Sequence, residues 1–155
     1  MKPVTVTIDV PQSREAVYDF LDVMSNHELF TDHMMQDWRL EGPARGIGSK
    51  ARLKAVVGGR TETVEIEVIE AERPVKTIER NVGAGGKRVG TGTYTLADLP
   101  GGGTRVTFTY AWQQAPWSER LAAPIVRGIA RRGNERAMQR LAEQLRAPTA
   151  GDAGA

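Results

Sequence analysis

The sequence has no cysteine among its 155 residues. That removes disulfides, thiol nucleophiles and every cysteine-held zinc or iron–sulfur centre. There are only two histidines, His27 and His33. Their i,i+6 spacing does not put both on one helix face, so no metal is expected, even with Glu28 and Asp32 nearby. No run of about 18 apolar residues occurs, so no membrane-spanning helix is expected. Met1-Lys2-Pro3-Val4 does not lead into the apolar stretch of a signal peptide, and the chain is read as cytoplasmic. Gly83-Ala84-Gly85-Gly86-Lys87 lacks the spacing and the Ser or Thr of a P-loop, and no cofactor is expected.

Hydrophobic residues make up 40% of the chain, enough for a real core with room for a cavity. The length suits one domain, read as residues 1–147, followed by a small-residue tail, 148–155, expected to be flexible. The formal net charge is +2, unevenly spread. Residues 1–115 hold 14 Lys+Arg against 15 Asp+Glu, a net of −1, whereas residues 116–147 hold seven Arg against three Glu, a net of +4. The plainer account of those arginines is the solvated face of a long helix, since Arg is a good helix former. A phosphate backbone would ask for a continuous basic surface with aromatic residues interleaved, and the first 115 residues supply none, so no nucleic acid is expected.

Period-two alternation marks the strands. Val4, Val6, Ile8 and Val10 share a face, and Pro11 ends that run. Ser13 suits an N-cap for a helix from Arg14 to Leu21, with Val17, Phe20 and Leu21 on its apolar side. A short second helix carries Leu29, Phe30, Met34 and Met35. Six more strands are read at Asp37–Glu41, Ser49–Val57, Arg60–Glu70, Lys76–Val82, Arg88–Leu99 and Thr104–Gln113. Gly58-Gly59, Arg73-Pro74 and Gly101-Gly102-Gly103 supply turns between them. Leu121, Ile125, Ile129, Ala137, Leu141 and Leu145 then recur at helical spacing. Pro124 belongs at a first turn, so the continuous helix is read as Pro124 to Arg146, about 35 Å at 1.5 Å per residue. Short turns favour an antiparallel meander, and one apolar sheet face needs a cover. The predicted fold is α+β: a curved seven-stranded antiparallel sheet wrapped on a long C-terminal helix, with two short helices between strands 1 and 2.

This order of pieces resembles a known group. The pieces are Val10-Pro11, Ser13 through Asp22, Trp38, Gly46-Ile47-Gly48-Ser49, Glu72-Arg73-Pro74, Gly92-Thr93-Tyr94-Thr95-Leu96 and Gly103 through Tyr110, then the terminal helix. Together they are similar to the helix-grip superfamily of START-like and Bet v 1-like (SRPBCC) proteins, in particular the bacterial polyketide cyclase/dehydrase and lipid-transport group. The resemblance covers nearly the whole chain. Members often carry a tryptophan just after the first helix; here Asn26-His27-Glu28-Leu29-Phe30 stands there, and Phe30 is expected in that role. The resemblance implies a hydrophobic cavity between sheet and helix, and members include both carriers and enzymes.

The expected ligand-binding residues are Phe30, Met34, Trp38, Arg80, Tyr94, Phe108, Tyr110, Trp112, Ile125 and Ile129. Arg80 enters because it alternates in phase with Ile78 and Val82, and a buried arginine needs an anionic partner. Ordinary core packing is the plainer account of the aromatics, and a solvated strand end that of Arg80. The leading functional expectation is binding or carriage of a small hydrophobic or amphipathic ligand, such as a lipid, polyketide or aromatic metabolite. The alternative is a cyclase or dehydratase with His33 or Tyr94 as acid or base; exposed polar residues on a short helix is the plainer account of both histidines. A third reading is a protein-interaction module. A monomer or weak homodimer is expected.

Overall fold

A computed structural model describes residues 1–147. The expected flexible tail, 148–155, lies outside the described residues. The strands are β1 (Val4–Val10), β2 (Met35–Glu41), β3 (Lys50–Val57), β4 (Arg60–Glu72), β5 (Lys76–Gly83), β6 (Arg88–Asp98) and β7 (Thr104–Gln114). The helices are α1 (Arg14–Asp22), α2 (His27–Thr31), α3 (Trp117–Leu121) and α4 (Ala123–Arg146). The sheet order is β1-β7-β6-β5-β4-β3-β2, with every pair antiparallel. Strands β2 to β7 form the expected meander, and β1 joins its far edge beside β7.

Local chemistry accounts for the joints. Ser13 caps α1 by accepting the Ala16 amide at 3.2 Å. Pro124 sits in the first turn of α4, where its missing N–H breaks no helical bond. Asp37, at φ 55°, opens a bulge in β2, where Asp37 and Trp38 together face Leu53. That bulge aims the indole of Trp38 inward.

The core has two parts. The larger one joins α1, β1, β6 and β7 to the second half of α4, around Val17, Phe30, Val106, Met138 and Leu141. Burying a side chain such as Leu141, which is 0% exposed, contributes about 1.5–3 kcal/mol. The smaller part lies on β3 and β4, around Leu53 and Ile66. Only Ala137, Met138, Leu141 and Ala142 of α4 are fully buried. The sheet therefore grips the second half of the helix, while the first half extends past the packed core.

The arginines of α4 are not all free in water. Arg127 donates to the Lys2 carbonyl at 2.9 Å, and Arg131 to that of Thr5 at 3.1 Å. Arg131 covers a main-chain acceptor of β1 and Arg127 one just before it, which blunts that edge against pairing with another chain. Arg140 pairs with Asp32.

Candidate functional site

Between the two core parts lies a cavity of about 390 Å³. Its wall takes residues from α2 and the segment after it, from β2 to β7, from α3, and from the face of α4 that runs through Val126, Ala130, Gly133 and Ala137. The half-exposed Val56 and Ile129 stand where it opens. Most of the wall is carbon, with a few polar groups, as in small-molecule sites generally.

Glycine makes part of this space. A methyl group at Gly92 would stand 2.9 Å from the Phe108 ring and 3.1 Å from Glu79 Oε1. One at Gly90 would overlap the Tyr110 ring. The two glycines let Phe108 and Tyr110 of β7 lie across β6 and leave a recess in front of β5.

Seven of the expected residues line the cavity: Met34, Trp38, Tyr94 and Phe108 on the one hand, and Tyr110, Trp112 and Ile129 on the other. Four expectations are corrected. Arg80 is exposed on the outer face of the sheet, opposite Glu67. The inward phase of β5 is Thr77, Glu79, Asn81 and Gly83, the reverse of what Ile78 and Val82 suggested. Ile125 is 68% exposed, because the first half of α4 is not seated on the sheet. Phe30 is fully buried but packs in the core against Phe20 and His27, away from the wall. His33 is also off the wall; its Nε2 donates to the Gly133 carbonyl at 2.9 Å and ties the segment after α2 to α4.

The polar groups of the buried part were missed. Glu79 is 6% exposed and His27 3% exposed, and both face the cavity. His27 Nε2 lies 2.7 Å from the Leu21 carbonyl, which can only accept, so Nε2 carries hydrogen. Nδ1 then faces Glu79 Oε2 at 3.7 Å. The rings of Phe30, Trp38 and Tyr94 surround the imidazole at centroid distances of 5.4, 6.3 and 5.9 Å. Burial pushes the Glu79 carboxyl above the usual carboxylate range, with His27 opposing the shift. Burial also raises the Tyr94 phenol well above its ordinary value, with the charge of Glu79 adding to it. The phenol stays protonated. The Tyr110 phenol is pushed up to about 12, again mainly by burial.

A second polar cluster lies toward α3. Arg88 of β6 holds Glu119 of α3 through two donors, one at 2.9 Å, and holds Glu62 of β4 through a third. The hydrogen bond to Glu119 is the main reason its guanidinium is held even more firmly in the charged form. This clamp fastens α3 to the sheet. Among the described residues, no three His, Asp or Glu side chains come together as a metal site. No helix of the described residues is long and apolar enough to cross a membrane.

The signal for Glu79 lies in the strand register, which sequence alone does not supply. In register, Glu79 lies opposite Gly92 and Asn81 opposite Gly90. Polar residues facing glycines on the next strand mark room beside the sheet.

The family model for polyketide cyclase/dehydrase and lipid-transport proteins matches residues 1–147. The chain belongs to that family. Solved structures with this helix-grip fold agree. The Thermus thermophilus protein TTHA0849 superposes with a TM-score of 0.71 at 20% identity, over 93% of this chain and 97% of the other. A conserved protein of Geobacillus kaustophilus gives 0.74 at 16% identity, over 93% and 95%. Ms6760 of Mycobacterium smegmatis gives 0.68 at 16% identity, over 95% and 92%. At these identities the likeness is one of fold. A sequence search of curated proteins finds no match.

Proposed function

We propose that this family member binds and carries a small hydrophobic or amphipathic molecule in the cavity between sheet and helix, without transforming it. The observation that carries the reading is the cavity itself: about 390 Å³, walled largely by carbon and open beside α4. That volume lies within the usual range for ligand sites, roughly 300–1,000 Å³. The cyclase or dehydratase reading is weaker. His33 does not reach the wall, and Tyr94, held in its protonated form, is left only the acid half of that role.

Titration with N-phenyl-1-naphthylamine, a neutral apolar fluorophore, tests the reading. Saturable binding at one site per chain, lost when Ala137 is enlarged to Phe, supports it. Absence of saturable binding by a folded protein contradicts it.

One observation favours a second reading, self-association as a weak homodimer. Trp117, Leu121, Ile125 and Ile129 are all exposed and leave an apolar stripe along α3 and the first half of α4. Light scattering across a wide concentration range decides it: a dimer that dissociates on dilution supports the reading, and a monomer throughout refutes it.

A further inference from the structure

The ligand's polar group can be narrowed, on the reading that the cavity is a binding site. Glu79 projects from β5 into the recess that Gly92 leaves open. Among the described residues its carboxyl makes no hydrogen bond, and His27 Nδ1, at 3.7 Å, is too far to supply one. A buried polar group without a partner is costly, so a partner supplied by a ligand gains more here than at a solvated position. The buried part of the wall thus offers an unfilled hydrogen-bonding site beside apolar rings.

The charges of the wall say which partner fits. Among the described residues, three carboxyl groups line the cavity, Glu62, Glu79 and Glu119, against one guanidinium, that of Arg88, and the imidazole of His27, which already faces Glu79. Arg88 is already engaged by Glu62 and Glu119. Arg80, the cation expected inside, is outside. Among the described residues, each basic group of the wall already faces a carboxyl, so an anionic head would have to compete with one and would meet Glu79.

We infer that the cavity selects an uncharged, hydroxyl-bearing apolar molecule, an alcohol or phenol, anchored on Glu79, and rejects the corresponding carboxylate. A protonated carboxyl offers one donor and one acceptor, and a hydroxyl returns the same pair. Burial, which favours the neutral form of Glu79, supports this match. The Tyr94 ring, which lies edge-on to His27, and the Phe108 ring beside it would take the apolar body.

The test uses three probes on one ring system, naphthalene, 2-naphthol and 2-naphthoate, each displacing N-phenyl-1-naphthylamine from the full chain at pH 7. One net hydrogen bond in a desolvated site predicts about tenfold tighter binding of 2-naphthol than of naphthalene, with 2-naphthoate weakest. Glu79→Leu should bring 2-naphthol and naphthalene within about twofold of each other, the change expected if that single bond is lost. Glu79→Gln, which still donates and accepts, should keep the preference for 2-naphthol. The inference is overturned if 2-naphthoate competes as well as 2-naphthol, or if Glu79→Leu leaves the preference intact. In either case naphthalene still displaces the fluorophore, and the binding reading survives. If the fluorophore does not bind the wild-type chain, the binding reading fails and takes this inference with it.

Discussion

Gly92→Ala is the substitution whose cost follows most directly from the geometry. The new methyl would lie 2.9 and 3.0 Å from two Phe108 ring atoms and 3.1 Å from Glu79 Oε1. Contacts that short force side chains to move, and overpacking of this kind costs about 1–3 kcal/mol. Gly92 does not need a positive φ, so alanine adopts its backbone freely. Restricting the unfolded chain returns about 0.4–1 kcal/mol. The expected net loss is about 1–2 kcal/mol, or roughly 2–8 °C in Tm for a chain of this size. Urea unfolding measures it, alongside Gly92→Ala combined with Phe108→Leu. The shorter leucine vacates the space the methyl needs, so the double variant should lose less than the sum of the two single ones, by at least about 0.5 kcal/mol. Additive effects, or a Gly92→Ala chain as stable as the wild type, would refute the claim that glycine opens this recess.

Three further outcomes are expected. Glu79→Gln should stabilise the fold increasingly as pH rises above 4.5, the ordinary value, and then level off. The raised carboxyl makes the native state hold a proton that the unfolded chain releases, so wild-type stability falls across that window; Tm from pH 4 to 9 checks it, and parallel curves would contradict it. Arg88→Met should cost about 2–4 kcal/mol, below the fully buried case because the clamp is partly solvated, and adding Glu62→Gln with Glu119→Gln should recover part of the loss in the same unfolding assay. Ile125→Ser should change stability by less than about 0.5 kcal/mol, whereas Leu141→Ala should cost about 2–5 kcal/mol; equal losses would mean that the first half of α4 is seated after all.

The contrast between Ile125 and Leu141 shows where sequence reasoning held and where it stopped. Alternation placed Val4, Leu53, Ile66 and Val106 on the buried face correctly, because a packed sheet face must be apolar. Helical spacing drew the stripe from Leu121 to Leu145 without a break. Periodicity says which residues share a face, and it does not say how far the partner sheet extends beneath them. On β5 the rule reversed. The side facing the cavity holds Glu79 and Asn81, so an apolar-inward rule chose Ile78, Arg80 and Val82 instead. A cavity wall can be polar at the depth where a core cannot, and alternation alone does not distinguish them. The cross-strand pairing of Glu79 with Gly92 does distinguish them, and it becomes visible only once the register is known.

Occupancy of the space between sheet and helix by an uncharged apolar molecule is the central claim. Native mass spectrometry of the protein, purified gently from its own host, tests it most directly. The expected result is a species heavier than the bare chain by the mass of one neutral, hydroxyl-bearing molecule, released when the protein is denatured. A bare chain, or a bound carboxylic acid, would contradict it.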